Sequence, residues 1–181
     1  MKALPISTRT VIERDGSTHT LLVVCPQEAQ TVSVERCVAC PGCQCLDDGD
    51  GSVRRPSVAC SSGTPEVPGG ARTAGNTLSR FSTCVRADAI GQVVLPSPYG
   101  CLPVVDENTL LVGVLGTDSH ARIDRAAVDL AVEEHLPIRA ALAHMAHHRA
   151  RHVPVVARDG LVVGVLDDLE AMRALRHETR E

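Results

Sequence analysis

The feature that most constrains this chain is an internal repeat. The stretch CLPVVDENTLLVGVL begins at Cys101 and HVPVVARDGLVVGVL begins at His152, an offset of 51 residues with no gap through the shared run. Pro103 matches Pro154 and Gly113 matches Gly164. Each copy carries a Val-Val pair, a turn and a second apolar run, and reads as strand, tight turn, strand, with Asn108 and Asp159–Gly160 marking the turns. Self-similarity at a fixed period means two copies of one supersecondary unit, neither able to bury its apolar face alone.

Helices flank the second copy. PIRAALAHMAHHRA starts at Pro137, a residue suited to a first helical turn, and places Ile138, Leu142, Met145 and Ala146 on one face. DLEAMRALRHE follows the second strand with Asp168 near its start and basic residues toward its end. In the first copy ADAIGQVVLPSPYG leaves room only for a short helix before Pro96 and Pro98.

This pattern, strand–helix–strand–strand–helix with PVV…LVGVL, resembles the cystathionine β-synthase (CBS) domain, which occurs in tandem pairs. The second copy, about 126–177, carries most of the resemblance; the first, about 78–123, carries it through GCLPVVDENTLLVGVLGTDS. The resemblance implies two copies packed through their sheets, homodimerisation through the pair, and regulation by a small ligand such as an adenine nucleotide or by a protein partner. Nucleotide-binding copies of the family read GhhTxxD, h being apolar, with Thr on phosphate or ribose and Asp on the ribose hydroxyls. Here Gly116 and Ser119 stand at those positions in the first copy, with Asp118 one residue early, and Asp167 and Glu170 stand there in the second. Asp167 repels a phosphate, while Glu170 can accept from ribose hydroxyls. The ligand residues so implied are Pro103, Val104, Asp118, Pro154, Val155, Asp167 and Glu170.

The first 62 residues read differently. TRTVIERDGSTHTLLVV holds two β-prone runs around Asp15–Gly16, a hairpin signal, and a further run, TVSV, leads into CVACPGCQC, with four of the eight cysteines in nine positions. Residues 47–76 are dense in Gly, Pro, Ser and Asp, as linkers are, interrupted by a short strand, SVAC, that ends in Cys60. The division expected is a β-rich cysteine module at 1–62, a flexible linker at 63–77, and repeats at 78–123 and 124–181, giving a mixed α/β (α+β) fold.

Tetrahedral zinc takes four soft ligands. A Cys-x2-Cys knuckle supplies Cys37 and Cys40, and Cys25 and Cys60 each close a strand that can deliver a thiolate to it. Cys43 is the alternate, because Cys40-x2-Cys43 has the same spacing. Cys43 and Cys45 are then alternate ligands or spare thiols. An iron–sulfur cluster is the competing cofactor; CVACPGCQC contains Cys-x2-Cys-x2-Cys, but the next cysteine follows after one residue where ferredoxins have three. Redox chemistry of a Cys-x2-Cys needs the motif to open a helix, and Pro41–Gly42 signals a turn instead. Cys84 and Cys101 lie in apolar strands and read as small buried hydrophobes.

Composition narrows the function classes. There is no Trp, one Tyr and one Phe, and the net charge is −4, so the stacking platforms and basic surface that nucleic acids need are missing. A DNA-binding regulator built on the zinc module finds only six Lys or Arg against seven Asp or Glu in residues 1–60. No early apolar run reaches the length of a signal peptide or a membrane span, so a cytoplasmic protein with reduced thiols is expected. His144, His147, His148 and His152 read as a solvated helix face. No phosphate-binding Gly loop, nucleophile elbow or His-Glu-x2-His helix is present. The expectation is a non-catalytic regulatory or sensory protein, with a thiol or iron–sulfur redox sensor as the alternative.

Overall fold

The structure is a computed structural model that describes residues 2–47, 56–61, 72–78, 81–90, 101–116 and 123–178. In chain order the strands are β1 (Lys2–Pro5), β2 (Ser7–Glu13), β3 (Gly16–Cys25) and β4 (Gln30–Ser33), then helix α1 (Val34–Val38), then β5 (Cys43–Asp47), β6 (Ser57–Cys60), β7 (Phe81–Arg86), β8 (Cys101–Val105), β9 (Leu111–Gly116), β10 (Ile123–Asp124) and β11 (Val132–Glu133). Helix α2 (Ile138–His148), β12 (His152–Val156), β13 (Val162–Asp167) and α3 (Asp168–Glu178) complete the second repeat. None of the described helices is long and apolar enough to cross a membrane.

The two repeats share their backbone in detail. In the first, Val104 faces Gly113 and Val105 faces Leu111; in the second, Val155 faces Gly164 and Val156 faces Val162. Every partner is displaced by 51 positions, and the irregularity that shifts the register falls at the same step. The left-handed residues of the two turns also correspond, Thr109 at φ 68° and Gly160 at φ 85°. The first turn is therefore marked by Thr109, one place after Asn108, and a β-branched residue holds a conformation that favours glycine. Asp106 sustains it by accepting the N–H groups of Asn108 and Leu110, both at 2.9 Å.

The repeats meet at these turns about an approximate two-fold axis. Leu110 bridges Leu161, the Leu111 N–H donates to the Gly160 carbonyl, and the Val162 N–H donates to the Thr109 carbonyl. Beside that contact Val105 and Val162 pack with Val11 and Cys84, joined by Leu111 and Val156. The glycines of the repeat are explained by close approach. A Cβ at Gly113 would lie 2.5 Å from Ile123 Cγ2, and one at Gly164 would lie 2.9 Å from Ser82 Oγ and 3.0 Å from a Leu78 methyl. Ser82 Oγ in turn accepts the Val165 N–H at 3.2 Å.

The second repeat owns the largest core. Ile138, Ala141 and Met145 of α2 and Ala171 and Ala174 of α3 cover Val153, Val155 and Val163. The chain before β7 belongs to this core as well. Ala74 and Gly75 donate to the carbonyls of Leu136 and Glu134, and Ala74 and Leu78 are buried in it.

The N-terminal strands are continuous with the first repeat. Thr8–Ile12 of β2 pair in parallel with Phe81–Val85 of β7, giving a seven-stranded sheet of order β10-β9-β8-β7-β2-β3-β4. A second sheet, β1-β6-β5, packs Leu4, Ile6 and Val58 against Val23, Val32, Val34 and Cys37. The hairpin at Asp15–Gly16 and the strand ending at Cys60 form as the sequence predicts. The run TVSV does not stay extended. Ser33 ends β4, its hydroxyl accepts the Arg36 N–H, and the short helix α1 carries Cys37.

Two side chains tie this N-terminal part to the second repeat. Arg9 Nη1 donates to the Val162 carbonyl at 2.7 Å, and burial lowers the guanidinium pKa. Glu134, 4% exposed, accepts the Thr31 N–H at 2.7 Å and the Thr31 hydroxyl. A buried carboxylate tolerates loss of solvent only when such donors meet it. Glu134→Ala leaves the Thr31 N–H without its charged acceptor, and a loss of about 1–3 kcal/mol in urea unfolding is expected; a change within error would show that the contact carries no stability.

Cys84 provides a pH signature. Complete burial pushes its thiol from 9.0 up to about 12, with the Arg9 charge opposing as the smaller effect. A raised folded-state pKa means that the contribution is complete below pH 9 and is lost as pH rises toward 12. Wild-type stability should therefore fall across that window more steeply than that of Cys84→Ala, measured by unfolding midpoints at successive pH values; parallel curves would refute it.

Candidate functional site

One cavity of about 220 Å³ gathers five of the eight cysteines. Cys25 comes from the end of β3, Cys37 from α1, Cys40 from the following turn, Cys43 from the start of β5 and Cys60 from the end of β6. Each arrives for a local reason. The pairing of Val24 with Thr31 and Cys25 with Gln30 turns the chain back on itself, so β4 leads into α1 beside the end of β3. After α1 the backbone turns twice, with the Cys40 N–H donating to the Cys37 carbonyl and the Cys43 N–H to the Cys40 carbonyl, each at 3.0 Å. Gly42 N–H donates to Cys40 Sγ at 3.4 Å. Strand β6 alternates its exposure so that Val58 and Cys60 face the core.

The expected residues Cys25, Cys37, Cys40 and Cys60 thus share one cavity, and so does the alternate, Cys43. Cys43 and Cys60 face each other in register across β5 and β6. Cys45 is set apart. The register shifts between Cys43 and Cys45, so Cys45 pairs with Ala59 and is exposed. A residue two positions from Cys43 would normally share its face; the bulge turns it away. All seven cysteines whose side chains are described are free thiols. Burial, and then the neighbouring thiols Cys43, Cys25, Cys60 and Cys40, push Cys37 up to about 11. As the side chains lie, no group of three or more His, Cys, Asp or Glu among the described residues is arranged to hold a metal ion. Among the residues lining the cavity, Arg36 pairs with Glu28 at 2.8 Å.

The residues implied as nucleotide ligands sit elsewhere. Pro103 and Val104 lie on β8, and Pro154 and Val155 on β12. Val104 and Val155 are fully buried and belong to the cores of their own repeats. Asp118 and Ser119 fall outside the described residues. Asp167 is committed to structure. Its Oδ1 accepts the N–H groups of Leu169 at 2.9 Å and Glu170 at 3.1 Å, capping α3, and its Oδ2 lies 2.8 Å from His152 Nε2 across the β12–β13 pair. The backbone donors at the start of α3 that would meet a phosphate are already taken by a carboxylate. On α2, His144 and His147 each pack against His148, and His144 Nε2 lies 3.2 Å from the Leu130 carbonyl.

Sequence reasoning missed Glu134 and Arg9. Glu134 stands in a polar stretch, EEHLP, with nothing local to mark it as buried, whereas Arg9 shares its strand face with the buried Val11, the one local signal that could have found it.

Comparison with known proteins bears on the second repeat. Residues 127–177 match the family model described as CBS domain. Among solved structures, the CBS-pair protein CBSX2 from Arabidopsis thaliana is similar at 19% identity, covering 61% of this chain and 99% of that one, with a TM-score of 0.48. A CBS domain pair solved in complex with 5′-methylthioadenosine and S-adenosyl-L-methionine is similar at 19% identity over 60% of this chain and 98% of that one, TM-score 0.48. The CBS pair domain of a putative Mg2+ transporter from Shewanella oneidensis MR-1 is similar at 16% identity over 60% of this chain and 72% of that one, TM-score 0.46. No curated protein matches the chain. The matched residues, 127–177, span β11, α2, β12, β13 and nearly all of α3, so it is the second repeat that is similar to a CBS domain.

Proposed function

We propose that this chain is a non-catalytic regulatory protein, in which a CBS pair made of residues 78–123 and 124–181 carries a zinc-binding thiolate module at its N-terminus. The observation that carries the reading is the convergence of Cys25, Cys37, Cys40, Cys43 and Cys60 on one cavity. The donor set fits zinc. Thiolates are its preferred soft ligands, a structural site is closed by four of them, and rotation of the cysteines about χ1 is the only adjustment the short side chains can make. Cys25, Cys37 and Cys60 would each donate, with the fourth place taken by Cys40 or Cys43. Zinc would supply cross-linking: it would join the ends of β3 and β6 to α1, in a region whose apolar core is small. The cytoplasm, which keeps thiols reduced, suits such a site.

Regulation through contact with a protein partner, or with a second copy, follows from the second repeat. Leu169 and Met172 on α3 are 47% and 40% exposed, apolar surface of the kind a homodimer covers. Adenine-nucleotide sensing would have to avoid the Asp167 position, because that carboxylate opposes a phosphate and fills the helix cap.

Elemental analysis of protein purified without added metal tests the reading, with about one zinc per chain expected and Cys60→Ser expected to lose it. Iron with visible absorbance in place of zinc would replace this reading with the iron–sulfur one. Calorimetry with AMP, ADP and ATP is expected to give no heat; heat that Glu170→Ala abolishes would establish nucleotide binding at the second repeat.

A further inference from the structure

Five thiols face the cavity and tetrahedral zinc takes four, so the cavity holds more sulfur than a purely structural site requires. The geometry of two of them is distinctive. Cys43 and Cys60 are direct partners across antiparallel strands. They form the kind of pair that exchanges no hydrogen bonds with each other, because the flanking bond runs from the Ser61 N–H to the Gly42 carbonyl at 2.9 Å while the Cys43 N–H goes to the Cys40 carbonyl. Pairs of this kind bring Cα atoms to roughly 4.5 Å and their side chains closest of any sheet neighbours. That separation lies at the near end of the range a disulfide spans, about 4.4–6.8 Å. Cys45 is turned toward the other face opposite Ala59, and Cys84 is fully buried in a different cluster. Cys43 is partly exposed at the cavity while Cys60 is buried behind it.

We propose that Cys43 and Cys60 are a reversible redox pair, which a peroxide converts to a cross-strand disulfide within the cavity. The Cys43 thiolate attacks the peroxide O–O bond, becoming a sulfenic acid as one water leaves. The Cys60 thiolate then attacks the Cys43 sulfur, forming the S–S bond and expelling the second water. Two thiols and one hydrogen peroxide give one disulfide and two waters, the two thiol electrons having reduced the peroxide. A dithiol reductant reverses the change by exchange. The pairing rests on strand register alone. Its consequence, release of a bound metal as Cys60 ceases to be a thiolate, rests on the zinc reading above.

The full chain, reduced and then treated with one equivalent of hydrogen peroxide, can be alkylated with N-ethylmaleimide and mapped by mass spectrometry without reduction. The expected result is one dominant cross-link, Cys43 to Cys60, lighter by two hydrogens and reversed by dithiothreitol. Cys45→Ser should leave that link intact and Cys43→Ser should abolish it. Where zinc is bound, a metallochromic dye should record about one equivalent released as the link forms, at least tenfold more slowly in Cys43→Ser. A dominant Cys37–Cys40 or Cys25 cross-link in the wild-type chain, or oxidation confined to Cys45, would overturn the proposal whether or not any variant folds. A chain that forms the Cys43–Cys60 link yet holds no metal would overturn the zinc reading alone, and a zinc-bound chain that links other cysteines would overturn this one alone.

Discussion

The parallel pairing of β2 with β7 is the contact on which the rest of the molecule depends. It joins residues near the start of the chain to the first strand of the first repeat, some seventy positions later. Without it the N-terminal hairpin would have an open edge, and so would the repeat. With it, the first repeat gains a wall of strands at the edge where the second has only the two-residue strand β11. The second repeat instead packs one face of its short sheet under α2 and α3. The two copies have kept one backbone and diverged in what packs around it.

That pairing also decides how the thiol cavity relates to the repeats. Strand β3 is hydrogen-bonded to β2, so Cys25 sits two strands from β7 within one sheet. Strand β4 carries both the approach to α1, and so to Cys37, and Thr31, whose N–H and hydroxyl meet Glu134 of the second repeat. Only two residues, Val32 and Ser33, separate Thr31 from the helix start, and the backbone of this short strand is held on its other side by β3. The strand that leads to Cys37 is therefore also the strand that grips the second repeat. Glu134 is the point of that grip, a buried carboxylate met there by the Thr31 N–H and hydroxyl in place of water.

What could be read from the sequence, and what could not, follows the range of the interactions involved. The period of 51, the strand–turn–strand units, α2, α3 and the strand at Cys60 are local patterns of apolar alternation, turn residues and caps, and the residues themselves state them. The convergence of Cys25, Cys37, Cys40 and Cys60 was legible because cysteines closing strands have a chemical reason to meet. The β2–β7 pairing was not, since parallel pairing over a long separation leaves no mark on either strand. The exclusion of Cys45 was hidden too: it depends on a one-residue bulge, which reverses a side chain's face without any change in residue type. Glu134 and Arg9 illustrate the same limit, their burial being imposed by elements far away in the chain.

The equivalence of the two repeats sharpens the question of ligand binding. Position 167 in the second repeat and position 116 in the first correspond through the offset of 51. One is an aspartate and the other a glycine. A glycine there offers an anion neither a hydroxyl nor a charge to oppose it, whereas Asp167 occupies the helix cap with its own carboxylate and holds His152 with the other oxygen. The second repeat thus carries an internal anion at the start of α3, where it caps the helix. The same repeat is also the partner against which β4 and Arg9 are anchored, through Glu134 and the Val162 carbonyl.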